Sequence, residues 1–411
     1  MKVVIIGGGA AGFFAAINIK MFKPEVDVTI LEAAAEPLAK VRVSGGGRCN
    51  LTNSFAADLP LIKIYPRGEK VMRNCFKFFN HDDAFDWFEE QGVSLVTQDD
   101  NCVFPASQNS GEIIDTFLRL TKELGVKCKC RQRVLKVRRK GEGFQIEIDG
   151  VEENIECDVV VATTGGAPTM EGVSLYSELP VRFVEPAPSL FSFNIKNNPI
   201  TELMGTVVEP AVVSLKGSRM SGSGAMLITH WGISGPAVLK LSSYAARRMQ
   251  ENNYKEQIMI SWVGGLSQEE VLRKLLLHIA ENSKKLVGSA PPFGLTARTW
   301  IHVLYRSDIS EERRYVELGS KGINRIVASL TADEYSINGR SAHKEEFVTA
   351  GGFAVGCINP VTMESRDCPN FFVAGEVVDV DAITGGFNLQ AAWSMAYVVA
   401  LSVRDLANSK N

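Results

Sequence analysis

Several stretches of this 411-residue chain combine residue types that can bind or stabilise charge. Gly7, Gly9 and Gly12 form a G-x-G-x-x-G pattern directly after the run Val3-Val4-Ile5-Ile6. In such a turn the first glycine permits the tight bend, the second lets the backbone approach a pyrophosphate, and the third lets the next helix pack closely. The helix start at Ala10 and Ala11 then offers unpaired N–H groups and a positive dipole end to a diphosphate. Glu32 stands twenty positions after Gly12, where a carboxylate can accept ribose hydroxyls and disfavours a 2'-phosphate. A second glycine-rich stretch, Ser44 to Asn53, sets Gly47 beside Arg48, Cys49 and Asn50. Its composition suits wrapping a phosphate or the edge of a cofactor, and equally suits a flexible surface loop. A third, Gly385-Gly386-Phe387-Asn388-Leu389, opens an apolar helix through Ala400 and aims N–H donors at a place where negative charge could develop. His230, beside Trp231, is a candidate proton relay or substrate wall, or else part of an architectural turn leading into a helix from Ala237 to Met249 behind Pro236.

The elements that must position these residues alternate between strand and helix at both ends of the chain. Val3–Ile6 and Val28–Leu31 read as buried parallel strands, joined by a helix from Ala10 to Met21 that Pro24 ends. Asp158 to Ala162 is another such strand, running into Thr163 and Gly165, and Phe371 to Ala374 enters a tight turn at Gly375 and Glu376. The first unit alone predicts a dinucleotide module without choosing between FAD and NAD. Residues 190–348 lack this alternation and begin after the proline-rich Glu185-Pro186-Ala187-Pro188. There, Val212–Leu215 and Gln257–Trp262 read as strands, and Gln268–Asn282 as a helix with Val271, Leu272, Leu275, Leu276 and Ile279 as its core face. Gly222-Ser223-Gly224 is not a second dinucleotide turn, because Leu227 stands where the third glycine belongs. Trp87 and Phe88 are read as core residues of another helix.

Composition is that of a folded globular chain, with 45% hydrophobic and 22% charged residues. Its length exceeds what one core usually organises, so two or three domains are expected. The net charge of -3 gives no general attraction to nucleic acid or anionic membranes. The densest basic stretch, Arg131 to Lys140, alternates with Val134, Leu135 and Val137 and reads as a strand with one solvated face. Eight cysteines are scattered without a C-x-x-C, and with five histidines they form no readable metal site. Cys49 has no partner cysteine near it in sequence, which favours inert packing over redox activity. Without a readable signal peptide or membrane span, the expectation is a cytoplasmic protein with reduced thiols.

The run Gly45 to Asn53, together with Thr229 to Ala237, Thr362 to Ser365 and Ala374 to Ser394, resembles the YhiN/BaiN-like flavoproteins across essentially the whole chain. The resemblance implies an α/β fold: a Rossmann-type FAD domain of the glutathione-reductase kind, built from both chain ends and interrupted by an inserted β-barrel that carries a helical subdomain. The corresponding ranges would be 1–189 with 349–411, 190–262 with 323–348, and 263–322. By position, Gly7, Gly9, Ala10, Ala11, Gly12 and Glu32 would hold the ADP half of FAD, with Val134 near the adenine and Thr163 and Gly165 beside the nucleotide. Gly47, Arg48, Cys49 and Asn50 would lie along the pyrophosphate and flavin. Gly375, Glu376 and Asp379 would meet the ribityl chain, and Gly386, Phe387, Asn388 and Leu389 the ring system. The implied activity is FAD-dependent oxidoreduction, two electrons moving as hydride between flavin N5 and a small organic substrate, with oxygen or transiently NAD(P)H as the other partner. The alternative is a flavin-carrying binding protein, for example an RNA-associated one, with the inserted domain as docking surface. One departure stands out: relatives read G-R-V-F-P where this chain has Asn101-Cys102-Val103-Phe104-Pro105, so that arginine is absent.

Overall fold

The computed structural model describes residues 1–340 and 348–409. The chain divides into two compact units, Met1–Ser189 with Lys344–Asn411, and Leu190–His343.

The first unit is organised by a five-stranded sheet. Strands β1 (Lys2–Ile6), β2 (Asp27–Leu31), β3 (Lys127–Lys129), β4 (Val159–Ala162) and β5 (Phe371–Val373) lie in the order β5-β4-β1-β2-β3. Every pairing is parallel, with Val3 opposite both Val159 and Val28. A parallel strand covered on both faces must be apolar throughout, which is why Val3, Val4, Ile5, Val159, Val160 and Val161 are all fully buried. Helix α1 (Ala10–Phe22) is buried over the unbroken run Ala11 to Ile19, the pattern of a helix covered on all sides. The long helix α2 (Phe387–Ser409) packs against it. Between them sits an aromatic core in which the Phe14 ring lies 4.6 Å from Trp87, 5.3 Å from Phe79 and 5.3 Å from Trp393. The buried amide of Asn18 is satisfied, donating to Phe14 O at 2.8 Å and accepting from Trp87 Nε1 at 3.2 Å.

Of the basic stretch, Val134–Lys140 forms a strand of a separate three-stranded sheet with Gly143–Ile148 and Ile155–Cys157, whereas Arg131 to Arg133 precede it outside the sheet, Arg131 at φ +57°. Val137 points inward, and the outward cations are paired: Lys136 and Arg138 with Glu178, Arg138 also with Glu147, and Lys140 with Glu156. Arg139 lies over the Phe144 ring at 4.7 Å.

The second unit contains a seven-segment antiparallel sheet in which Asp333–Ile337 pairs with Glu256–Ser261 at one edge and Gly339–Arg340 pairs with Phe193–Asn194 at the other. Those two edge segments are consecutive in the chain, so the sheet closes into a barrel. Helices Gln268–Asn282, Ala297–Arg306 and Gly319–Ala332 are inserted between Glu256–Ser261 and Asp333–Ile337.

Three local expectations need correction. Residues 323–332 are helical, not barrel, because Ile326, Val327 and Leu330 continue a buried helical face past Gly322. Leu276 is 47% exposed, since the helix Gln268–Asn282 buries only the i, i+4 pair Val271 and Leu275. The helix behind Pro236 is broken into Pro236–Tyr244 and Ala246–Glu251. Just before the break Ser242 Oγ donates to Leu239 O, a side-chain bond that competes with regular helix. Among the described residues no helix is long and apolar enough to cross a membrane, and no cluster of three metal-ligating side chains occurs.

Candidate functional site

The turn between β1 and α1 is built as its glycines require. Gly7 has φ +110°, and a Cβ there would sit 2.3 Å from Thr163 O. A Cβ on Gly12 would lie 2.1 Å from Gly7 O. Thr163 braces the turn rather than pointing away from it, its hydroxyl donating to Ile6 O at 3.1 Å and Gly7 O at 2.9 Å. Gly9 differs from both: a Cβ built on it meets nothing within 4 Å. Gly9 also caps α1 without a side-chain hydrogen bond, and no acidic residue stands in the first turn. Open ground in front of an uncapped helix N-terminus fits a diphosphate. Glu32 accepts from Gly8 N and Ala34 N, both at 2.7 Å, which fixes the carboxylate at the tip of β2 while leaving further lone pairs. Gln132 N donates to Glu32 O at 2.8 Å and brings the start of the strand at Val134 alongside. Gly165, at φ +77°, likewise faces open space.

The turn after β5 meets the same helix start. Gly375 has φ +79°, and a Cβ on it would lie 2.8 Å from the Ala11 Cβ. Glu376 is held by Lys40 Nζ at 2.6 Å and Thr349 N at 2.8 Å, and Asp379 is half-buried.

The other end of the site is assembled from distant segments. Gly385 and Gly386 adopt φ of +127° and +86°, and a Cβ on Gly386 would strike Thr52 O at 2.2 Å. With its amide oriented so that both of its ends are satisfied, Asn50 bridges this contact, accepting from Gly386 N at 3.1 Å and donating to Thr52 O at 3.0 Å. The donor expected to be free at Gly386 is therefore engaged. Asn53 Nδ2 donates to Gly385 O at 3.0 Å, and Tyr65 OH to Phe387 O at 2.9 Å. Asn388 folds its side chain back on Ala382, accepting from the N–H at 2.9 Å and donating to the carbonyl at 3.1 Å. The Phe387 ring completes an aromatic corner: Phe55 lies edge-on to it at 5.1 Å and also contacts Phe76 at 5.6 Å.

Arg48 sits over the Phe104 ring at 4.2 Å, with Nε donating to Gly45 O at 3.1 Å and Nη1 to Gln108 at 3.3 Å. Gly47, with φ +84°, precedes it. Cys102, which stands in place of the family's arginine, is buried, and Asn101, in place of its glycine, has φ +65°, a left-handed position that asparagine tolerates. Cys49 is fully buried, and burial pushes its thiol up to about 12, so it is no thiolate near neutrality. His230 belongs to the second unit. It is exposed in the tight turn where Thr229 Oγ1 bonds both Gly232 N and Gly232 O at 3.1 Å, ahead of Pro236 at the first helical position.

Several residues that build this end were not singled out from the sequence. Asp381, fully buried, is gripped by both Arg67 nitrogens Nε and Nη2 and accepts from Ser189 Oγ at 2.8 Å. Gln390 accepts from Thr52 Oγ1 at 2.5 Å and donates to Asn80 O at 2.9 Å, and Trp393 Nε1 donates to Leu51 O at 2.9 Å. Asp381 and Gln390 lie inside the C-terminal run that carries the family resemblance, but Arg67 is 314 positions from its partner, beyond any local spacing.

A family model described as the HI0933-like protein Rossmann domain matches residues 1–402. The 3-dehydro-bile acid delta(4,6)-reductase of Clostridium scindens is 25% identical over 409 residues, covering 97% of each chain. The ribosomal RNA dihydrouridine synthase of Haemophilus influenzae is 26% identical over 417 residues, covering 97% of this chain and 98% of the relative. Among solved structures, the 3-ketosteroid-delta4-(5alpha)-dehydrogenase from Rhodococcus jostii superposes with a TM-score of 0.53 at 11% identity, over 98% of this chain and 96% of that one, a likeness of fold.

Proposed function

The chain belongs to the HI0933-like Rossmann family and is an FAD-dependent oxidoreductase, and on that premise we propose that it reduces a carbon–carbon double bond conjugated to a carbonyl. The observation that carries this reading is the corner at the start of α2, where backbone amides stand beside an apolar aromatic wall of Phe55, Phe76 and Phe387. Leu59 and Ile62, shortly after Phe55 in the chain, are 46% and 53% exposed. Such a corner suits a flat, weakly polar substrate with a carbonyl to orient. The names of the relatives agree in chemistry: a 3-oxo steroid with Δ4,6 unsaturation and a uracil ring each hold a double bond conjugated to a carbonyl.

In this reading the amides of Gly9, Ala10, Ala11 and Gly12 bind the diphosphate and Glu32 the adenosine ribose, with Val134 as a wall and Thr163 and Gly165 holding the neighbouring turn. Glu376, oriented by Lys40, and Asp379 face the ribityl region beside Gly375. Gly47, Arg48, Cys49 and Asn50 line the path to the ring, and the amides of Phe387, Asn388 and Leu389 stabilise negative charge beyond it, Gly386 being taken by Asn50. When bound, FAD supplies two-electron chemistry, exchanging hydride at N5. A reduced nicotinamide nucleotide is the proposed reductant and a small molecule the proposed substrate. The pairing of Lys136, Arg138 and Lys140 with glutamates speaks against that strand as an RNA arm.

The test is an anaerobic titration of the purified yellow protein with NADH and NADPH, followed by a 3-oxo-4,6-diene steroid, a uridine-containing RNA, or air. Bleaching of the flavin band by one nucleotide and its return with the enone is the expected result. A reduced enzyme that the enone leaves bleached would sink the proposal. Return with RNA alone, steeply dependent on salt, would transfer the activity to a nucleic-acid substrate.

A further inference from the structure

Reducing a conjugated double bond takes a hydride at the β-carbon and a proton at the α-carbon, and no proton donor has yet been assigned. We propose that His81 is that donor, an inference that rests on the enone-reductase reading above. His81 opens the helix His81–Glu90, whose cap Asn80 accepts from Asp82 N and Asp83 N through its side chain. The Asn80 carbonyl in turn accepts from Gln390 Nε2 at 2.9 Å, and Gln390 is fully buried in the first turn of α2. The residue just before the histidine is thus tied by a hydrogen bond to the helix start at the centre of the site. The histidine ring stacks on Phe55, centroids 4.6 Å apart at 28°, and Phe55 lies edge-on to Phe387 at 5.1 Å. The imidazole is therefore part of the apolar wall and its one group able to hold a mobile proton. Its side chain is 26% exposed, enough to recharge from water, and Asp82 Oδ1, 3.4 Å from Nε2, is the charged group recorded against it.

The other titratable groups recorded in this corner are committed elsewhere. Tyr65 is buried with its hydroxyl donating to Phe387 O, and burial holds its proton far too tightly. Burial pushes the Cys75 thiol up to about 12, and Asp381 is locked to Arg67. Imidazole is the side chain suited to proton transfer near neutrality. In the step, the π bond would break and a C–H bond form at the β-carbon with a hydride that bound FAD, reduced by the nicotinamide nucleotide, would supply. A second C–H bond forms at the α-carbon with the imidazolium proton, and solvent restores that proton.

The experiment compares wild type and His81→Gln as holoenzymes, reduced anaerobically with dithionite and reoxidised in a stopped-flow either by 2-cyclohexenone or by ferricyanide. Ferricyanide removes electrons without protonating carbon. The variant should retain its FAD and its ferricyanide rate, yet lose about 100-fold or more in reoxidation by the enone. Equal enone rates in the two proteins, or equal losses with both oxidants, overturn the assignment; His81→Asn repeats the comparison if the first variant folds poorly. A wild-type enzyme that ferricyanide reoxidises but 2-cyclohexenone and the dienone steroid do not would show instead that the enone reading itself has failed, and the assignment with it.

Discussion

At the adenosine end of the cofactor site, Glu32 reaches Gly8 from 24 positions away, and glycines, helix and carboxylate all belong to one strand-helix-strand unit. At the other end, Thr52 meets Gln390 across 338 positions and Arg67 meets Asp381 across 314. The first end is a backbone device: at Gly7 and Gly12 neighbouring main-chain atoms leave no room for a side chain, Gly9 leaves open ground, and its ligand meets amides. The second is a side-chain device, in which Asn50 and Asn53 bond the glycine pair itself while Tyr65 and Asn388 clamp Phe387 and Ala382 on either side of it. A local device tolerates change away from its few contact atoms, whereas a non-local one transmits the loss of any clamp to the helix it holds.

The largest effect should come from Gly9→Val. At φ -91° and with open space around the new Cβ, the substitution leaves the protein's own packing alone and fills the diphosphate position. The purified variant should be colourless, and its thermal midpoint should match that of wild-type protein stripped of flavin. Gly7→Val should instead cripple folding, because its Cβ would overlap Thr163 O. Full flavin occupancy in Gly9→Val would show that the turn is not the diphosphate cradle.

Next comes the buried pair at the other end. Asp381→Ala leaves Arg67, whose side chain is 16% exposed, without its carboxylate, at a cost of roughly 3–5 kcal/mol. Replacing both members with apolar residues should be milder, since no uncompensated charge remains. Urea unfolding of the three variants measures this, and a double variant as damaged as the single one would mean that the pair does more than compensate charge.

The same contrast explains what could be read from the chain. Period, β-branched runs and glycine spacing mark β1, α1, β2 and β4, because each forms from contiguous residues. The helix Gln268–Asn282 was legible for the same reason, but its burial was not: whether Leu276 is covered depends on a neighbour that sequence periodicity does not specify. Barrel closure was implied only by the family resemblance, since it depends on one short stretch pairing at both edges of a sheet. Arg67 was invisible beside Pro66 and Gly68, where it reads as an ordinary turn cation.

The buried thiols at the second end give a smaller, pH-dependent effect. Burial raises Cys49 and Cys75 from an ordinary value of 9.0 to about 12. Their contribution to stability is fully present below pH 9 and is lost as pH rises from there towards 12, because only the unfolded chain ionises in that window. At pH 10 the loss is about 1.4 kcal/mol for each thiol. Cys49→Ala and Cys75→Ala variants should each flatten the alkaline limb of the stability curve by that amount, and an unchanged limb would place the titrating groups elsewhere.

The smallest effect tests the amide corner itself. Asn50→Asp keeps an oxygen to accept from Gly386 N but removes the donor to Thr52 O and adds a negative charge at the start of α2. A carboxylate there suits the helix dipole, so the fold should survive with little loss. The same charge opposes the negative charge that Phe387, Asn388 and Leu389 are proposed to stabilise. An opposing interaction of about 1 kcal/mol lowers a two-electron midpoint potential by roughly 20 mV. Spectroelectrochemical titration of variant and wild type reads that shift directly. A potential that stays put or rises would place the developing charge away from the α2 N-terminus, and the two ends of the site would then differ in construction but not in function.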